Sequence, residues 1–333
     1  MKRVGNLMPQ IVDVDNLMLA FCKARRGKQD KREVVEYSVN VVENLLSLRE
    51  RMMNETLVVG NYRYFEIYDP KRRRICAASF EERVMHHAII NVCKERFERH
   101  LIFDSYATRE NKGVYAALDR VKGAICKYPF VAKLDVRKYF DSINHDVLKA
   151  KLRRLFKDNK LLRLFDSIID SYENEPSTGI PIGNLTSQYF ANYYLSDLDH
   201  YIKEVLRVPV YVRYMDDMLL FAESRAELVE VVSKVKDYVE SNLLLKLKPE
   251  QIIDVKGGVS FLGYSLMPHK IGLNRRSKLR FINKIRSYDM MFSCGEWSEE
   301  RYIQHIRPLL AFVEKAYTMN WRRSLCCNYA VNG

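Results

Sequence analysis

No run of the sequence approaches the ~18 uninterrupted apolar residues that a membrane-spanning helix requires, so a soluble chain without a membrane partner is expected. The opening stretch, MKRVGNLMPQIVDVDNLM, carries acids where the apolar centre of a secretory signal would lie, and points to a cytoplasmic protein. Seven cysteines (Cys22, Cys76, Cys93, Cys126, Cys294, Cys326 and Cys327) are odd in number and lack paired C-x-x-C spacing. Neither a disulfide framework nor a structural zinc cage is therefore expected. Repeats and low-complexity tracts are also missing. With 47% hydrophobic and 29% charged residues over 333 positions, an ordered globular chain is expected, with a sizeable core divided into two or three domains.

What the chain has in excess is positive charge, 55 Lys and Arg against 42 Asp and Glu, for a net +13. Residues 1–128 hold 24 basic and 17 acidic residues, 129–269 hold 19 and 20, and 270–333 hold 12 and 5. Two basic ends around a balanced middle would suit a polyanion gripped on both sides of a centre whose carboxylates bind divalent metal. A solvated, solubilising surface is the alternative that charge alone leaves open.

Apolar residues recur at helical spacing over 7–54. Alternating β-branched and aromatic residues over 57–78, with a turn at Pro70 and the basic knot Lys71-Arg72-Arg73-Arg74, predict a β-hairpin. Helices are predicted at 80–100, 113–126, 145–157, 160–172, about 187–206 and 227–243. A strand at 130–134 ends on Asp135, a hairpin pairs 208–214 with 218–222, and a further strand is predicted at 259–266. Beyond Pro268 the chain reads as helix only, at 276–293 and 298–319. The class expected is α+β with a separate helical tail.

The most informative string is Tyr214-Met215-Asp216-Asp217, set between two apolar β runs. Adjacent carboxylates on a turn fixed by strands call for a cation if they are buried together, because uncompensated buried charge costs several kcal/mol. Asp135, at the end of another strand, can join them at one sheet edge. Three such acids could hold two Mg2+ ions, the arrangement that activates an attacking oxygen and steadies a leaving pyrophosphate.

The ordered strings Leu134-Asp135-Val136-Arg137-Lys138-Tyr139-Phe140-Asp141, Gly179-Ile180-Pro181-Ile182-Gly183-Asn184-Leu185-Thr186-Ser187-Gln188, Tyr214-Met215-Asp216-Asp217 and Phe261-Leu262-Gly263-Tyr264 strongly resemble the motifs of reverse transcriptases. The resemblance covers roughly residues 60 to 265, with the remainder placed as a thumb. It implies a right-hand polymerase: N-terminal helices and fingers over 1–130, a palm with antiparallel sheet over 131–268, and a short helical thumb over 269–333. By resemblance Asp135, Asp216 and Asp217 are the catalytic metal-binding acids, with the backbone of Val136 also reaching a metal. Two Mg2+ are implied, with Mn2+ as an alternative.

Lys71 and Arg73 match the family's finger cations on the incoming triphosphate, while Arg72 and Arg74 alternate with them. Phe140, five residues after Asp135, matches the aromatic gate that excludes a ribose 2′-OH. Ile182, Gly183 and Gln188 belong to the nucleotide pocket. Tyr214 and Met215, the primer grip Phe261-Leu262-Gly263-Tyr264, and Arg275, Arg276 and Lys278 fall on primer and template. Asp141 reads as a helix N-cap.

Most members of the family carry Pro-Gln-Gly and then Ser-Pro where this chain has Pro181-Ile182-Gly183 and Ser187-Gln188. That form looks like the enzymes of diversity-generating retroelements, which copy a template-repeat RNA with errors at adenines. An aliphatic Ile182 in place of an amide removes a polar constraint on the base pair. RNA template, DNA or RNA primer, dNTPs, a small basic accessory protein and a bacterial or phage origin are the corresponding implications. A group II intron-like or retron-like enzyme is the nearer rival, and a non-catalytic RNA-binding module on the same scaffold the more distant one. Where many relatives place a lysine after Pro-Glu, this chain has Gln251, which puts the family's proton donor to pyrophosphate in doubt and leaves open whether Lys248 or another group takes that part. No RNase H-like domain, endonuclease or long maturase extension is expected after the thumb.

Overall fold

The computed structural model describes residues 2–68 and 72–331. The predicted turn residue Pro70 and finger cation Lys71 lie outside the described residues. The N-terminal segment divides into four helices, α1 (Met8–Ile11), α2 (Val14–Arg25), α3 (Arg32–Val39) and α4 (Val41–Met53). The expected hairpin follows as β1 (Arg63–Ile67) and β2 (Arg73–Ala77), with Phe65 opposite Ile75. Helix α5 (Phe80–His100) starts where predicted, because Ser79 caps the Glu82 amide and Glu82 reaches back to the Ser79 amide in a capping box. Helix α6 (Val114–Ile125) leads into β3 (Phe130–Asp135), and α7 (Tyr139–Ser142), α8 (His145–Leu155), α9 (Asn159–Asp170), α10 (Leu185–Tyr194) and α11 (Ser196–His200) come next. The single long helix expected over 187–206 is thus interrupted at Leu195 and ends in a π-turn at Tyr201–Val205.

Strands β4 (Val210–Tyr214) and β5 (Asp217–Ala222) form the expected hairpin, followed by α12 (Arg225–Leu243) and β6 (Gln251–Asp254). The order β4-β5-β3-β6 makes one antiparallel sheet. The strand predicted at 259–266 is instead a tight hairpin, β7 (Val259–Phe261) and β8 (Tyr264–Met267), because Leu262 and Gly263 both take positive φ (+49° and +88°) and reverse the chain. The helix-only reading after Pro268 also needs correction: β9 (Lys270–Leu273) pairs with β8 before α13 (Arg275–Ser293), α14 (Glu299–Glu314) and α15 (Met319–Val331). These two four-residue strands are too short to leave a period-2 signature. Asp141 is not the expected N-cap; it lies inside α7, and Asn144 caps α8 through the Val147 amide.

The four-stranded sheet separates two cores, as alternation requires. Ala132, Leu134, Met218 and Leu220 face a core built with α1, α2, α4, α5 and α8 to α12, while Val131, Val212, Leu219 and Phe221 face a second core with α6, β7 to β9 and α13. The class is α+β, as expected. Among the described residues no helix is long and apolar enough to cross a membrane.

Candidate active site

Period-2 alternation along β3 and β5 places Lys133, Asp135 and Asp217 on the face of Val131, Leu219 and Phe221. That face is covered by the second core at one end only, so these polar groups occupy its open end. Register does the rest: Asp135 lies directly opposite Asp217, and Asp217 opposite Tyr214 across the Met215-Asp216 turn. The three acids predicted from sequence therefore meet at one edge of one sheet. Burial first, and then the charges of Asp135 and Asp217, push the Asp216 carboxyl up to about 6. An acid held in that way is short of positive charge, which is the electrostatic demand a divalent cation meets.

The chain partly meets that demand itself. The Lys248 ammonium contacts Asp135 Oδ1 at 2.5 Å, and the Lys248 amide donates to the Asp135 carbonyl at 2.8 Å. Lys133 lies 3.9 Å from Asp217 Oδ1 and donates to the Ser260 carbonyl on β7 at 3.1 Å. Among the described residues no group of three or more His, Cys, Asp or Glu side chains is arranged to hold a metal ion as it stands. The hard-oxygen donor set suits Mg2+ or Mn2+, and Lys248 must leave Asp135 for a cation to take its place. The Arg137 amide donates to Lys246 and the Asp135 carbonyl accepts from Lys248, so alternation turns the Val136 carbonyl the other way, toward β5. Lys248→Gln is expected to tighten Mn2+ binding to the free protein roughly 3-fold, the scale of a partly solvated ion pair. Calorimetric titration checks this, and unchanged affinity would mean that the ammonium does not compete.

The second group of predicted residues comes together through backbone contacts. Phe140 ties α7 to the loop that precedes α10, its carbonyl accepting from the Ile180 amide at 2.9 Å. Ile182 in turn accepts from the Cys76 amide on β2 at 2.8 Å, which ties the loop to the β1–β2 hairpin. Phe140 is half-buried with its ring against Tyr139, and Gln188 is half-buried on α10. Gly183, Ile75 and Phe65 line a cavity of about 360 Å3 that also receives Lys28, Arg63 and Arg83. Arg73 shares the hairpin face of Phe65 and Ile75 and is exposed. On the opposite face Arg72 forms a bidentate pair with Glu66, and Arg74 lies over the Tyr64 ring at 4.0 Å. The alternation predicted for these arginines holds, but Arg72 and Arg74 have partners within the hairpin.

The predicted primer-contacting residues separate by burial. Phe261 and Tyr264 are wholly buried, with Tyr264 Oη donating to the Phe312 carbonyl, so their side chains serve the second core rather than a ligand. Leu262 and Gly263 are what the β7–β8 turn presents. Tyr214 and Met215 are half-buried beside the acids. Arg275 and Arg276 are exposed at the start of α13, and Lys278 lies 5.6 Å from the Trp321 ring. Arg276, Arg280 and Lys284 share a cavity of about 560 Å3 with Tyr68, just after β1, so α13 faces the β1–β2 hairpin across an open space. Sequence reasoning missed Lys133, Lys28 and Arg63. The i, i+2 spacing of Lys133 from Asp135 could have identified the first.

The family profile described as reverse transcriptase (RNA-dependent DNA polymerase) matches residues 69–266. Among curated proteins, the chain is 22% identical over 292 residues to Protein YkfC of Escherichia coli, covering 72% of this chain and 76% of that one. It is 26% identical over 204 residues to the retron Ec86 reverse transcriptase of Escherichia coli, covering 58% of each. It is 22% identical over 220 residues to a putative COX1/OXI3 intron 1 protein of Saccharomyces cerevisiae, covering 61% of this chain and 26% of that protein. Among solved structures, apo telomerase from Candida tropicalis aligns with a TM-score of 0.49 and 12% identity, over 76% of this chain and 57% of the telomerase. The chain thus spans little more than half of the retron enzyme and of the telomerase.

Proposed function

Because the chain belongs to the reverse transcriptase (RNA-dependent DNA polymerase) family, we propose that it is an RNA-directed DNA polymerase whose reaction is carried out at Asp135, Asp216 and Asp217. The observation that carries this reading is the register that sets Asp135 against Asp217 with Asp216 on the adjoining turn. Divalent cations held there by the three carboxylates and the Val136 carbonyl would activate the primer 3′-hydroxyl and neutralise the leaving pyrophosphate. The chain's own residues do the positioning. Leu262 and Gly263 approach the primer through backbone, Arg73 and Lys71 neutralise triphosphate charge from the fingers, and the Phe140 ring occupies the space a ribose 2′-OH would need. Lys248, released from Asp135, stands where it can hold a proton for the departing pyrophosphate. On this assignment residues 1–130 serve as fingers with their N-terminal helices, 131–268 as palm and 269–333 as thumb.

Primer extension on an RNA template with dNTPs and Mg2+ tests the reading. Extension by the wild type supports it, and its absence with RNA and accessory protein supplied would favour the non-catalytic binder. Phe140→Ala is expected to raise ribonucleotide incorporation roughly 10- to 100-fold relative to dNTPs, the range over which steric exclusion of one group discriminates. Single-nucleotide kinetics with rNTP and dNTP check this.

Within the family, the Ile182-Gly183-Asn184 loop and Ser187-Gln188 favour a diversity-generating enzyme that copies a template-repeat RNA into adenine-mutagenised cDNA with a small basic accessory protein. If Ile182 relaxes base-pair checking, Ile182→Gln is expected to lower the error rate at template adenines several-fold on cDNA sequencing. An unchanged error spectrum would remove Ile182 from the explanation. The similarity to a retron enzyme and to an intron-encoded protein supports the second reading, retron-like or intron-like priming. Near-identical repeats differing at adenines in the DNA flanking the gene would decide for the first.

A further inference from the structure

Behind the acids lies a buried polar cluster that rests on the polymerase reading for its meaning. Arg213 on β4 and Asp199 on α11 are both wholly buried. The guanidinium has five N–H donors, and each finds an acceptor. Nε donates to Asp199 Oδ1 at 2.7 Å, and Nη2 to Asp199 Oδ2 at 2.5 Å and to the Asn192 carbonyl at 3.1 Å. Nη1 donates to Asn192 Oδ1 at 2.8 Å and to the Met215 carbonyl at 3.1 Å. The acceptors are themselves fixed: Tyr211 Oη donates to Asp199 at 2.8 Å, and Asn192 Nδ2 donates to the Ala107 carbonyl at 2.8 Å.

A buried ion pair contributes little net stability compared with apolar residues of the same volume, so stability alone does not account for it. The distinctive bond is the one to Met215. That residue forms the turn ahead of Asp216 and has φ +55°, a left-handed conformation that costs a non-glycine residue about 1 kcal/mol. The neighbouring carboxylates add mutual repulsion on the same turn. Arg213 reaches it from the face of the sheet opposite Asp135 and Asp217, and so restrains it without entering the site.

We propose that Arg213, locked by Asp199 and Asn192, is a positioning residue that holds the Met215 turn and so sets where Asp216 and Asp217 present their oxygens to a divalent cation. Lysine, with three donors on a single nitrogen, cannot span Asp199, Asn192 and Met215 together.

The test is Mn2+ binding to the whole protein without nucleic acid, read from the electron paramagnetic resonance signal of free Mn2+. Arg213→Lys is expected to remain folded by circular dichroism, to bind Mn2+ at least 10-fold more weakly, and to bind primer–template in EDTA within 2-fold of wild type. Should Arg213→Lys not fold, the double variant Arg213→Met with Asp199→Leu, which replaces the pair by apolar bulk, is expected to melt as high as wild type and to show the same weakening. Wild-type Mn2+ affinity in either folded variant would overturn the proposal. So would a loss of binding that only tracks a loss of folded protein in both. If wild type and Asp216→Ala bind Mn2+ alike, the failure lies with the acids' assignment and not with Arg213.

Discussion

Asp216→Asn is expected to lower nucleotide addition on the order of 10^3-fold or more, about 4 kcal/mol of transition-state stabilisation, while the protein stays folded and binds primer–template. Asparagine keeps the size of the side chain and removes one of the three charges at the sheet edge. The same substitution has a stability consequence of opposite sign. The Asp216 carboxyl is raised to about 6 by burial and by its acidic neighbours, above its unfolded value near 3.8. Its ionised form therefore opposes folding, a destabilisation absent below the unfolded value that grows as pH rises through about 6. In metal-free buffer the Asp216→Asn protein should melt higher than wild type at pH 8 and converge with it near pH 4. Added Mg2+ should stabilise wild type and leave the variant unmoved. Single-turnover primer extension and melting curves with and without EDTA check both halves. Equal activity would remove Asp216 from the chemistry.

Gly183→Ala is expected to raise KM for dNTP by 10-fold or more, with a smaller fall in kcat. Gly183 has φ +126°, and a Cβ there would lie 2.8 Å from the Cys76 carbonyl and 3.2 Å from Ile75 Cγ2. The first obstacle is backbone and cannot rotate away, so the loop and the β1–β2 hairpin must separate, and the Cys76 amide to Ile182 carbonyl bond is lost with them. Strain of this kind is worth about 1–3 kcal/mol, enough to open the cavity that Gly183, Ile75 and Phe65 line. Steady-state kinetics across dNTP concentration read the effect. An unchanged KM would mean that the cavity does not hold the nucleotide.

The elements with strong periodicity were legible in the sequence, and so was the sheet edge at which the three acids meet. Asp135 at a strand end and Asp216-Asp217 between two β runs already implied a shared edge, because a hairpin and a neighbouring strand have few ways to pair. The hairpin at Leu262-Gly263 was not legible, since its strands of three and four residues alternate too briefly and the turn holds a leucine at positive φ. Phe261 and Tyr264 likewise looked available to a primer in a string, yet the second core takes both. Cross-chain partners were beyond reach of any local pattern: Lys248 meets Asp135 from 113 residues away, and Arg213 meets Asn192 across a helix break that apolar spacing did not announce.

The central claim is that Asp135, Asp216 and Asp217 gather divalent cations at a primer terminus. Anomalous diffraction from crystals of the protein with primer–template, a non-reactive dNTP analogue and Mn2+ tests it most directly. Two Mn2+ peaks within bonding distance of these carboxylates, with Lys248 withdrawn from Asp135, are the predicted result. An ordered primer and nucleotide with no Mn2+ at the three acids, and Lys248 still on Asp135, would contradict it.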